Sequence, residues 1–279
     1  MALFGPGTQQ HMLVSLRRDL RLLLPADPGR DRLIEYVHLF DPRARVAMAG
    51  RIDVGNERDL YITEGLQIVP EVAAEVGVPA GMTMAFFVQN NPRGVPFSTI
   101  GPLNTKKELY IRSERLMNGL AVRMGGVAWP EAAVLSEPLR ATIYTHREVT
   151  AEQVHEVVAR YAPGLAPHFD PTFGPVGVST WRTGDGQFEA SHWPKGTTAV
   201  LLPRAPRGVG DDLFYHRSDN WAVRLELSTP ANRADPHTAR LVGECALEIA
   251  AMSHGACVDQ LDFRVRDPRE LVFPRLSAG

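Results

Sequence analysis

What the chain lacks narrows its class first. Two cysteines in 279 residues cannot form a disulfide framework. Only Lys106, Lys107 and Lys195 are lysine, so 27 of the 30 basic residues are arginine, spread along the whole chain. The formal net charge is −2. Such a balance provides no electrostatic pull toward nucleic acid or an anionic membrane. No stretch of about 18 uncharged apolar residues occurs, so no transmembrane helix is expected. The N-terminus breaks its apolar residues with Arg17, Arg18, Asp19 and Arg21, which is the wrong order for a secretory signal. With so few cysteines, the expected location is cytoplasmic.

Catalytic signatures are missing too. There is no G-x-x-x-x-G-K-[ST] loop and no strand-linked G-x-G-x-x-G, so a phosphate cradle is not expected. No G-x-S-x-G elbow, H-E-x-x-H or C-x-x-C occurs. Cys245 and Cys257 fall on an apolar helix face and in a strand, where thiols are inert packing groups. No cofactor and no metal site are indicated.

What is present is a globular composition, 44% hydrophobic, with 24 glycines and 22 prolines that punctuate it. Residues 9–24 read as an amphipathic helix ended by Pro25 and Pro28. A hairpin is expected over 45–65, a short helix over 66–77 entered at Pro70, and a strand over 82–90. Residues 91–107 read as a long irregular loop, and Ser113 as the cap of a helix ending at Gly125 and Gly126. Residues 130–138 read as a connection. A strand follows over 139–146, then a helix over 151–162 with Thr150 and Gln153 as a capping box. The spacing then predicts a hairpin over 176–193, a further strand in TTAVLLP, a strand over 221–228, a helix from Pro236 to Gly255 and a strand over 257–265.

Both halves run hairpin, strand, long helix, at similar though unequal spacing. The expectation is an α+β protein of two ferredoxin-like halves, residues 1–135 and 136–279, with antiparallel sheets carrying helices on one face and a possible internal duplication.

The densest polar and aromatic group lies in the second half: Trp181, Arg182, His192 and Trp193 on the hairpin, with Tyr215, His216 and Arg217 in the following loop. Trp, Tyr and Arg dominate protein hot spots and also stack on small ligands. The expected function is therefore a non-catalytic binding or accessory protein that recognises a protein partner or small ligand through this surface. On that reading Trp181 and Trp193 are dispensable for folding. An alternative is an enzyme with histidine acid–base, metal or haem chemistry. Its candidates are His168 and Asp170, which have H-x-D spacing, together with His192. A third possibility is a subunit of a homodimer or larger assembly, joined through a sheet edge or the 9–24 helix.

Overall fold

A computed structural model of the chain describes residue 16 and residues 21–47, 50–54, 60–63, 65–90, 102–129, 138–145, 147–169, 177–194, 221–230 and 236–271. It is a mixed structure of helix and antiparallel sheet. The chain divides into two compact units, Met1–Val134 and Leu135–Gly279.

In the first unit the strands are β1 (Arg21–Leu24), β2 (Arg45–Val46), β3 (Ile52–Val54), β4 (Leu60–Ile62), β5 (Leu66–Gln67), β6 (Met84–Asn90) and β7 (Val127–Trp129). The helices are α1 (Arg30–Phe40), α2 (Pro70–Val76) and α3 (Pro102–Met124). The sheet runs β7-β1-β6-β4-β3-β2, with β5 also paired to β6. Strand β1 is paired on both sides, by β6 and by the edge strand β7, and all four of its residues are buried. This corrects the helix expected over 9–24: its last turn, Arg21–Leu24, is a strand. Three consecutive leucines suit a strand covered on both faces, where every side chain is buried, as well as they suit a helix. The remainder of 9–24, apart from Leu16, lies outside the described residues.

Helix α1 has no counterpart in the sequence-based reading. Leu33, Val37 and Phe40 at helical spacing are its buried face, and Gly29 precedes it. Helix α2 begins with Pro70 in its first turn and ends at Gly77 in the left-handed region, as the sequence suggests. Helix α3 is longer than expected. It starts at Pro102, so 102–107 is helical, while 91–101 lies outside the described residues. Pro102 is compatible with a first helical turn, whose N–H groups have no partner within the helix.

The second unit contains β8 (Pro138–Thr145), α4 (Ala151–Tyr161), β9 (Ala166–His168), β10 (Ser179–Arg182), β11 (Phe188–Trp193), β12 (Trp221–Pro230), α5 (Pro236–Ser253) and β13 (Ala256–Asp259). Its sheet runs β13-β8-β12-β11-β10-β9, antiparallel throughout. The capping box is present: Thr150 Oγ1 accepts from Gln153 N at 3.3 Å and Gln153 Oε1 accepts from Thr150 N at 2.9 Å. Strand β9 was not anticipated, and TTAVLLP lies outside the described residues. The strand expected over 257–265 stops at Asp259. There Asp259 Oδ1 accepts from Leu261 N at 2.8 Å and Phe263 N at 2.9 Å, and Asp262 takes a positive φ of 68°. The chain then doubles back so that Val265 N donates to Cys257 O at 2.9 Å, covering the outer edge of β13.

The core of this unit lies between α4, α5 and one face of the sheet. Leu139, Ala141, Ile143, Trp181, Phe188, Ala190 and Val223 meet Val154, Val157 and Val158 of α4 and Val242, Ala246 and Ile249 of α5.

The strand order of the second sheet repeats that of the first, position for position: β13, β8, β12, β11, β10, β9 against β7, β1, β6, β4, β3, β2. Helices α4 and α5 fall at the same points in the chain order as α1 and α3. The two long helices end alike. Gly126 N donates to Ala121 O and Gly255 N to Ala250 O, each at 2.8 Å, and the preceding Gly125 and His254 have φ of 67° and 49°. These are the left-handed residue and six-to-one bond of a Schellman end. Each glycine then lies against the strand next to the edge, β1 or β8. A Cβ at Gly126 would collide with the Leu23 carbonyl oxygen, and one at Gly255 with that of Tyr144. We expect Gly126→Ala and Gly255→Ala each to cost about 2 kcal/mol or more in urea denaturation of the full chain. Gly184→Ala, with nothing within 4 Å of its added carbon, should cost far less.

Candidate functional site

Strand alternation sorts the sequence-derived candidates onto two faces of the second sheet. Residues directly opposite in an antiparallel ladder share a face, and the next residue along takes the other. Thr180 pairs with both Ser191 and His168, so these three share one face. Ser179 pairs with His192, one residue along, on the face that carries α4 and α5. His168 and His192 therefore point to opposite sides of the sheet. The structure does not bring them together, and Asp170 lies outside the described residues. Among the described residues no group of three His, Cys, Asp or Glu side chains converges to hold a metal.

On the helix face, Trp181 belongs to the core and packs against His155 of α4, with ring centroids 5.6 Å apart. His192 is 7% exposed. Its Nε2 is buried with no hydrogen-bond partner. Burial is the main influence on the ring and depresses its pKa, since the charged form is poorly solvated there; the Val149 backbone and the charges of Glu152 and Glu148 pull the other way.

On the opposite face, Trp193 is 1% exposed and its indole Nε1 donates to Ser191 Oγ at 2.9 Å. Arg182 is ion-paired with Glu189, Nε and Nη2 lying 3.1 Å and 2.5 Å from Oε2. Glu189 faces Glu226 across the ladder, and Glu226 faces Arg140. A row of four charges thus runs Arg, Glu, Glu, Arg across four strands. Two like charges directly opposite are unfavourable alone, and an arginine at each end offsets them. Thr142, Thr180 and Ser191 in the next row are also buried.

The expected binding surface is therefore dismantled in part. Both indoles are buried, at 7% and 1% exposed, and so pack within the unit. The alternating pattern marks a hairpin but does not tell which rings face solvent. Tyr215, His216 and Arg217 lie outside the described residues. What stays at the surface is Arg182, whose side chain is 40% exposed, the half-buried His168, and Phe169 at 74%. Phe169 follows the edge strand β9 and was not singled out by sequence. An aromatic beside Pro167 in a weak strand signal carries no indication of exposure.

Cysteine chemistry has no support here. Cys245 and Cys257 are both free and buried. Burial pushes the Cys245 thiol up to about 12, and the Cys257 thiol higher still, aided by Asp259. A thiol reactive at neutral pH needs the reverse shift.

The chain matches no protein-family model, no curated protein and no solved structure.

Two outcomes follow. Trp193→Ala should lower stability by about 3 kcal/mol or more in chemical denaturation, as for other fully buried tryptophans. Neither cysteine should react with a disulfide reagent in the native protein, and both should react once denaturant is added.

Proposed function

We propose that the chain is a binding or accessory protein made of two duplicated, ferredoxin-like units, with its partner-facing surface at the β9–β10 margin of the second unit. The strand orders support the architectural part. In a ferredoxin-like unit, a strand–helix–strand and a second strand–helix–strand interlock in the antiparallel order fourth, first, third, second. The segments β8-α4-β11 and β12-α5-β13, ordered β13-β8-β12-β11, follow that pattern with β9 and β10 added outside. The segments β1-α1-β4 and β6-α3-β7, ordered β7-β1-β6-β4, do likewise with β2 and β3 added.

The functional part rests on one observation. Phe169 is the most exposed large hydrophobic side chain among the described residues, and it follows β9, which ends the order of the described strands. An exposed ring that follows a half-buried histidine is suited to anchor in a pocket on another protein. No described strand pairs with the outer edge of β9, whose N–H and C=O groups can orient a partner. Pro167 in β9 limits that edge as a template for indiscriminate pairing. The near-neutral charge favours a protein over nucleic acid or an anionic membrane, and two free, buried cysteines suit a reducing cytoplasm.

The test is capture with the full-length chain followed by titration calorimetry of the purified partner. Phe169→Asp should weaken binding by about tenfold or more, equivalent to about 1.4 kcal/mol, with an unchanged circular dichroism spectrum. Equal affinity of the variant and the parent overturns the assignment of this margin.

A further inference from the structure

We propose that the first unit carries a docking surface for an acidic peptide, built from Arg45, Arg51, Tyr61 and Gln89 on one face of β2, β3, β4 and β6.

The ladder places these groups together. Arg45 pairs with Asp53, Asp53 with Tyr61, and Tyr61 with Gln89, so these residues form one row across the sheet. Val46, Ile52, Ile62 and Val88 form the next row, on the opposite face. Arg51 stands two residues before Asp53, and Ala47 N donates to the Arg51 carbonyl at 2.8 Å, which continues the β2–β3 ladder. Arg51 therefore projects to the same side as Asp53.

Each side chain is then aimed by a neighbour. Arg51 Nε is 2.8 Å from Asp53 Oδ1, in an ion pair with a fully buried carboxylate. The Arg51 guanidinium also lies over the Tyr61 ring, 4.8 Å from its centroid. These two contacts fix the plane of the guanidinium. With Nε engaged, the edge formed by its two Nη groups is left as a fork for a planar acceptor. The side chain is 36% exposed, so that acceptor can reach it. The Tyr61 hydroxyl donates to Gln89 Oε1, which leaves the Gln89 amide nitrogen as its donor, on an exposed side chain. Arg45 is exposed and bonded to no described side chain.

This row offers donors. Its acceptors, the Asp53 carboxylate and Gln89 Oε1, are already turned inward to Arg51 and Tyr61. The complementary ligand therefore presents acceptors, anionic at the arginine end and neutral at the glutamine end. A side-chain carboxylate followed by a peptide carbonyl meets both requirements. The row covers three strand intervals, about 14 Å, which is the reach of about four residues of extended chain. A lone carboxylate or phosphate can occupy only the arginine end. Exposed ion pairs contribute little singly, but Arg51 is already held in place and loses less side-chain freedom on binding. The surface lies in the first unit and shares no residue with the margin at Phe169, so neither depends on the other.

The test is fluorescence anisotropy with the full-length chain at about 50 mM salt, where screening is weak. The probe is a labelled peptide of about eight residues alternating Glu and Gly, long enough to cover the row. It should bind the parent, and the matching peptide of Gln and Gly should not. Arg45→Gln and Arg51→Gln should each weaken binding by about fivefold or more, and Gln89→Ala by about twofold, with unchanged circular dichroism spectra. Arg147→Gln, which removes an exposed arginine of the second unit, should leave the affinity unchanged. No binding by the parent overturns the proposal, as does a loss in Arg147→Gln equal to that in Arg45→Gln. Unchanged affinity in Gln89→Ala, or displacement of the probe by acetate or inorganic phosphate at the concentration of its carboxylates, overturns the assignment to a peptide. If Arg51→Gln does not fold, Arg45→Gln decides alone, since that side chain is exposed.

Discussion

The structure depends on two glycines that let a helix end against a sheet. In each unit a long helix must deliver its chain to the edge beside the first strand, and the space there is set by a backbone carbonyl. Gly126 meets the Leu23 carbonyl and Gly255 that of Tyr144. A side chain at either point would push the edge strand away from its neighbour and disturb the β7–β1 or β13–β8 ladder. The same constraint aligns the units. Matching these ends places Ala121 on Ala250, since each accepts the closing bond from its glycine. Matching the short motif RLMNGLA on RLVGECA instead shifts the helices by one turn. Residue similarity is therefore a weaker guide to the correspondence than the geometry of the helix end.

Polar contacts between helices fix the second feature common to both units. In the first, Asp41 at the end of α1 is fully buried and accepts from Arg112 Nη2 of α3 at 2.8 Å. Burial raises the Asp41 carboxyl above its ordinary value, while Arg112, the Arg43 backbone N–H and the Arg43 charge pull it back. In the second unit, Glu248 of α5 takes Arg160 and, at 2.7 Å, the Tyr161 hydroxyl at the end of α4. The Tyr161 hydroxyl, as donor to that carboxylate, is pushed up to about 12. The acid and base have exchanged helices, yet each pair joins the end of the first helix to the second. The two pairs differ in energetic weight. Removing one partner of a buried pair leaves an uncompensated charge, whereas an exposed pair contributes little. Asp41 is the costly case, because its side chain is fully buried and that of Glu248 is 36% exposed.

Much of this architecture is legible in the sequence where a local rule acts alone. The Thr150–Gln153 box, Pro70 at the start of α2 and Gly77 at its end are decided within a few residues. Strand Met84–Asn90 is legible from its aromatic and β-branched content. Leu22, Leu23 and Leu24 are not legible, because a run of apolar residues is shared by a doubly covered strand and a buried helix, and only the pairing with β6 and β7 decides. Helix α1 is poorly legible although Leu33, Val37 and Phe40 carry its period. Its signal is shortened by Gly29 on one side and the turn at Asp41 on the other. The end of β13 is not legible because Asp259 replaces ladder bonds with its own carboxylate, a choice that alternation does not encode.

The candidate site shows why the rest was hidden. In the segment FEASHW, alternation correctly separates Phe188, Ala190 and His192 from Glu189, Ser191 and Trp193. It also implies that one of these sets meets water. Both are buried: the first in the core with the helices, the second on a face where Thr142, Thr180, Glu189 and Ser191 are all below a tenth exposed. Burial of a second face depends on what lies over it, which is a long-range property absent from the period of the strand. Polar residues kept on such a face cost desolvation, and they offset it only by satisfying one another. The indole of Trp193 on Ser191, and Arg182 on Glu189, are that compensation. Of the Trp, Arg and His residues that stand out in the sequence, Trp181 and His192 therefore face the helices, while Arg182 and Trp193 hold a polar sheet face together.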